Sequence, residues 1–155
     1  MFFARKKMGD SGMRKAQAAI EFMAVFGLML FFFVVMNLVV LGSRQAAEEE
    51  RAGLFAQQLA QEAAGKIALV SEADGLAAQL LVPAGLGEQS LPFTLEITNS
   101  SASVSFQYSN RQKGAVAQVR ATRVNNGTGA ARFNLTEGTY SINNTGGTVF
   151  VFKTS

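Results

Sequence analysis

Cysteine is absent from this chain, which excludes disulfides, thiolate metal sites and a cysteine nucleophile, and leaves the redox compartment open. Histidine is absent too. Without it the commonest general base and the commonest metal ligand are gone, so hydrolytic triads and zinc sites are not expected. Tryptophan is missing, and the first of only two prolines is Pro83, so nothing before it obliges a helix to break. Charge is unevenly placed: Arg5, Lys6, Lys7, Arg14 and Lys15 stand near the N-terminus against Asp10 alone, while beyond Ala16 nine basic groups meet ten acidic ones. The formal net charge of +3 therefore belongs to the first segment, gives no footprint for nucleic acid, and nucleic acid is not expected as a partner.

What is present is a long apolar run. The twenty residues 22–41 carry no charge, and Asn37 is their one strongly polar side chain. At about 1.5 Å per residue such a helix spans roughly 30 Å, the thickness of a hydrocarbon core. A soluble core helix of this length keeps a polar face, whereas here every face is apolar, so residues 17–42 are expected to cross a membrane. Basic residues precede the run and the acidic Glu48, Glu49 and Glu50 follow it, which orients the N-terminus to the cytoplasm and the rest outward.

Beyond the run, residues 43–82 are rich in Ala, Gln, Glu and Leu, and the helix is expected to continue to about Leu81. Phe55, Leu59, Ala63, Ile67 and Val70 fall on one stripe that reads as packing, and Gly75 allows a bend or an early end. The segment 82–87 contains Pro83 with Gly85 close behind and reads as a break. Residues 83–155 then read as strands over 91–98, 101–109, 115–124, 130–135, 139–143 and 148–153. The alternation of Val104, Phe106 and Tyr108 with Ser103, Ser105 and Gln107 suits a strand with one buried face. Hairpin turns are expected at the Asn-Asn-Thr-Gly-Gly run 143–147 and at Asn125-Asn126-Gly127. The expected fold is α+β: a long N-terminal helix, then a small antiparallel sheet or sandwich.

Two features bear on function. Glu21 stands one turn into the apolar helix, where a charged carboxylate deep in hydrocarbon costs about 2.5–3.5 kcal/mol on insertion scales, so it reads either as a membrane-edge residue reaching headgroups or Lys15, or as one with a partner or a task of its own. Four sequons, Asn99-Ser-Ser, Asn126-Gly-Thr, Asn134-Leu-Thr and Asn143-Asn-Thr, lie in the outer part, where they read either as N-glycosylation sites or as ordinary turn composition.

The junction Lys15, Ala16, Gln17, Ala18, Ala19, Ile20, Glu21, placed between a basic leader and an apolar helix, resembles the class III signal peptide of archaeal prepilins in the type IV pilin superfamily. The motif there is a basic residue, a small residue, then Gln-x-Ser-x-Glu; this chain has Ala19 at the serine position. Met8 or Met13 as the start leaves the motif intact. The resemblance implies that a prepilin peptidase removes residues 1–16 by cutting between Ala16 and Gln17. It further implies that Glu21 meets the new terminal amine of a neighbouring copy, and that the helix passes from membrane lipid into a filament core. A cytoplasmic assembly ATPase and a membrane platform protein are implied as partners beside other copies of the chain. The function implied is that of a structural subunit of an extracellular, adhesive surface filament, with no cofactor; a minor pilin, or a non-polymerising anchored outer domain that binds a ligand or partner, is the alternative. An enzyme is not expected, because the outer part offers only Glu88, Glu96 and Glu137 scattered among Ser, Thr and Arg.

Overall fold

The computed structural model describes residues 10–87, 90–121 and 123–154. Residues 1–9 of the expected leader, and Glu88, lie outside the described residues. One helix, α1 (Asp10–Ser71), is followed by eight strands: β1 (Ala77–Val82), β2 (Phe93–Thr98), β3 (Ser101–Tyr108), β4 (Arg111–Gln118), β5 (Val124–Asn125), β6 (Arg132–Leu135), β7 (Gly138–Thr145) and β8 (Thr148–Lys153). The chain divides into two compact units, Met1–Ala46 and Ala47–Ser155. The fold is α+β, with one long N-terminal helix and two small, mostly antiparallel sheets.

In the first unit the helix exposes its apolar side chains on all faces. Phe22, Phe31 and Phe33 are each more than 60% exposed, as are Met29 and Leu38. Mean hydropathy over its most apolar eighteen residues is 2.7. It is long and apolar enough to cross a membrane.

In the second unit the last part of α1 buries a stripe of Ala52, Ala56, Leu59, Ala60, Ala63, Ala64, Ile67 and Val70. The expected stripe is correct at Leu59, Ala63, Ile67 and Val70, but Phe55 is 46% exposed. The alanines carry the rest, and small side chains let the helix backbone come close to its neighbours at little entropic cost. This stripe joins one core with the inward residues of both sheets, among them Leu80, Val82, Leu95, Ile97, Val104 and Ile142.

The first sheet has the order β1-β7-β8-β5 and the second β4-β3-β2-β6. All pairings are antiparallel except β5 with β8, where Val124 lies beside Val149. Burial alternates along the strands as a half-buried sheet requires: Ala102, Val104 and Phe106 point inward from β3, and Tyr140, Ile142 and Asn144 from β7.

Three expectations need correction. The helix stops at Ser71, not near Leu81. Ser71 Oγ donates to Ala68 O at 2.6 Å and to Arg120 O at 3.1 Å, and Gly75, at φ +80°, supplies the left-handed residue that ends the turn. The helix-favouring Ala-Ala-Gln-Leu-Leu-Val stretch is β1, paired residue for residue with β7 and burying Leu80 and Val82. Here tertiary packing overrides local propensity. Second, the single strand expected over 115–124 is divided: β4 ends at Gln118, and the chain reaches the other sheet as β5. Third, Asn125-Asn126-Gly127 is no hairpin; it links β5 of one sheet to β6 of the other. Asn125 Oδ1 accepts the Gly127 and Gly129 amides, and Asn126 Oδ1 accepts the Thr128 and Ala130 amides, so side chains organise this loop.

The hairpin at 143–147 has the expected turn. Thr145 pairs with Thr148 around Gly146 (φ +61°) and Gly147 (φ +78°). A second two-residue hairpin, around Ser109 (φ +46°) and Asn110 (φ +64°), joins β3 to β4.

Candidate functional site

The junction residues lie on α1, where the helix already runs through Lys15 and Ala16 before reaching Gln17. The expected boundary at Gln17 is thus not a boundary of secondary structure. Lys15, Ala16, Gln17 and Glu21 are all exposed. Gln17 and Glu21 are four residues apart, which on a helix stacks one side chain above the other, and Gln17 Nε2 donates to Glu21 Oε1 at 3.0 Å. That bond offers the carboxylate a dipole and no counter-charge.

Downstream of Glu21 the helix presents aromatic rings without covering them. Phe22 and Phe26 stack with centroids 6.2 Å apart, and Phe31 meets Phe32 edge-on at 6.1 Å. Two polar side chains in this stretch turn back on the helix. Ser43 Oγ donates to Val39 O, and Asn37 Nδ2 donates to Phe33 O at 2.8 Å.

The sequons fall into two environments. Asn99 and Asn134 are exposed; Asn126 and Asn143 are half-buried. Asn99 Oδ1 accepts the Val124 amide at 2.8 Å, tying the β2–β3 turn to β5 while leaving its amide nitrogen on the surface. Asn134 lies on β6, at the edge of its sheet, and its side chain points outward between buried Phe133 and Leu135. Asn143 is in β7, between two neighbouring strands, and accepts a hydrogen bond from Ser141 Oγ.

The second unit has shallow clefts. One of about 60 Å³ is lined by Glu48, Arg51, Phe55, Leu86, Leu91 and Tyr108. The Tyr108 hydroxyl donates toward Glu48 Oε2 at 3.5 Å. Partial loss of solvent around the hydroxyl and the neighbouring Glu48 carboxylate hold Tyr108 above the ordinary tyrosine pKa. Beside them Lys113 of β4 pairs with Glu49, and across the other sheet face Arg132 pairs with Glu96, so both carboxylates are engaged in holding strands. Among the described residues no group of three or more acidic side chains is placed to hold a metal ion.

The sequence pattern names Glu21 and Gln17 and places them one turn apart; it gives no sign of the role of Asn144. This residue is 4% exposed, and its Nδ2 donates to Ala73 O at 3.1 Å just past the end of α1. Its one sequence signal is a place in an Asn-Asn-Thr turn, which reads as surface. No family model, curated protein or solved structure matches the chain.

Proposed function

We propose that the chain is a pilin, a structural subunit of an archaeal type IV pilus-like surface filament. It is made as a membrane precursor with its N-terminus in the cytoplasm, and polymerises through its apolar helix after removal of residues 1–16. The observation that carries this reading is the all-round apolar helix with Glu21 one turn inside it, directly after the Lys15-Ala16-Gln17 junction. A helix bare on every face needs either lipid or other helices around it, and a filament core supplies the second.

Hydrolysis of the Ala16–Gln17 bond leaves a carboxylate on Ala16 and an ammonium on Gln17. Glu21 then has a cationic partner on a neighbouring copy in place of the neutral amide that now holds it. An ammonium and a carboxylate 4 Å apart attract by about 4 kcal/mol at an effective dielectric of 20. That exceeds the cost of a carboxylate one turn inside a membrane helix, which lies below the roughly 2.5–3.5 kcal/mol reached at the middle, so the pairing offsets the burial of Glu21. The ATPase and platform protein implied by the resemblance supply the work of extraction, and exposed Asn99 and Asn134 suit glycans on a filament surface.

The test is Glu21→Ala in the producing cell. The variant should enter the membrane fraction at the wild-type level and give no filaments by electron microscopy; normal filaments defeat the pairing role. The N-terminus of shed wild-type filaments should read from Gln17. A wild-type chain found only in the membrane fraction supports the anchored outer domain instead.

A further inference from the structure

We propose that Asn37 is a self-recognition contact, through which two copies of this chain associate side by side in the membrane before any filament forms. The inference rests on the reading of residues 22–41 as a membrane-crossing helix, and concerns an earlier event than polymerisation.

Asn37 is the one strongly polar side chain within residues 22–41, and its hydrogen bonding is incomplete. Gln17 and Glu21, which precede the run, share one hydrogen bond, and Ser43, which follows it, bonds back to Val39 and Val40. Asn37 spends one N–H on Phe33 O, while Oδ1 has no partner among the described residues and a second N–H remains. In hydrocarbon an unfilled amide is costly, because no water is present to fill it. It lies four residues before Leu41, about 6 Å inside the outer end of the run, too deep for a short side chain to reach water.

The occupant is a second copy because the geometry makes the site self-complementary. All copies enter the membrane with the same topology, so two neighbouring helices run parallel and place Asn37 at the same depth. A carboxamide carries both donor and acceptor, so each Nδ2–H can meet the other's Oδ1 in two reciprocal hydrogen bonds, as a single polar residue in an apolar helix seam fixes register. Leu30, Phe33, Val34, Leu41 and Arg44 stand three, four or seven positions away on the same face, and the four apolar ones supply the flanking contact.

The native chain has no cysteine, so Gln57→Cys, on the exposed side of α1, gives a single labelling position. Full-length protein carrying donor or acceptor dye is reconstituted in phosphatidylcholine vesicles, and energy transfer is followed as the protein-to-lipid ratio falls. The wild-type chain should transfer above the level of random proximity, Asn37→Leu should weaken association by about 3- to 30-fold, and Asn37→Gln should retain most of it. An Asn37→Leu chain that associates like wild type overturns the proposal, and so does a wild-type chain with no transfer above random. Glu21→Ala should keep the Asn37-dependent transfer while forming no filaments, which separates failure of this contact from failure of the filament reading.

Discussion

At the scale of single residues, Asn144 shows how one side chain can hold the end of a helix. Its backbone N–H donates to Leu76 O and its carbonyl accepts the Gly75 amide, both at 3.1 Å, while Nδ2 reaches Ala73 O. Gly146 N donates to Asp74 Oδ1 nearby, so the turn after α1 is fastened to the β7–β8 hairpin by side chain and backbone together. Carbonyls at a helix end lack intrahelical donors, and a buried one left unfilled costs about 1–3 kcal/mol. Asn144→Ala should therefore destabilise the second unit by about 1–2 kcal/mol, part of the loss being offset because the variant also removes the unpartnered buried Oδ1. Asn144→Asp should cost more, since it sets a carboxylate against a carbonyl in a nearly buried place. With no tryptophan present, urea unfolding followed by the fluorescence of Tyr108 and Tyr140 reads both variants. If Asp is tolerated better than Ala, the donor role is wrong. None of this was legible beforehand, because burial of an Asn depends on which strands flank it, and a lone Asn-Asn-Thr carries no such information.

At the scale of elements, what could be read depended on whether the signal was local. The β7–β8 turn was legible because Gly146 and Gly147 occupy two consecutive positive-φ positions that glycine enters freely. The β3–β4 turn was not, because it imposes the same conformation on Ser109 and Asn110, and Ser carries no such preference. The two hairpins therefore respond oppositely to substitution. Gly147→Ala should destabilise by about 1 kcal/mol, whereas Asn110→Gly should stabilise by up to about 1 kcal/mol by relieving φ +64°. The measurement is the shift of the urea midpoint at constant slope. Equal signs for the two substitutions would mean that the turn conformations do not govern hairpin stability. Strand β1 is masked in the sequence by its own composition. Its Ala, Gln and Leu favour helix, and the contrary signs were Gly75 before it and Pro83 after it, which disfavours helical Val82.

At the scale of the whole molecule, the apolar run and the α+β division were legible because each rests on many residues acting alike. The strand order of the two sheets was not, since β5 joins β8 in parallel from a segment that locally continues β4. Among the described residues, every member of the buried core lies in the unit Ala47–Ser155, so it should fold without the first 46 residues. Cutting at Ala47 creates a new helix N-terminus with Glu48, Glu49 and Glu50 in its first turn, where carboxylates stabilise the exposed N–H groups by about 0.3–1 kcal/mol each at low salt. Two of these also touch strands, Glu48 through Tyr108 and Glu49 through Lys113, which restrains fraying of the shortened helix. The fragment 47–155 should accordingly be soluble without detergent, monomeric by analytical ultracentrifugation, and should unfold in one cooperative step at nearly the urea midpoint of the full chain in detergent. It should show no association in the vesicle experiment, because Asn37 and the apolar face are gone. A fragment that is unfolded or forms inclusion aggregates would mean that the second unit depends on the first 46 residues for its stability, and would place part of its folding energy in the apolar helix.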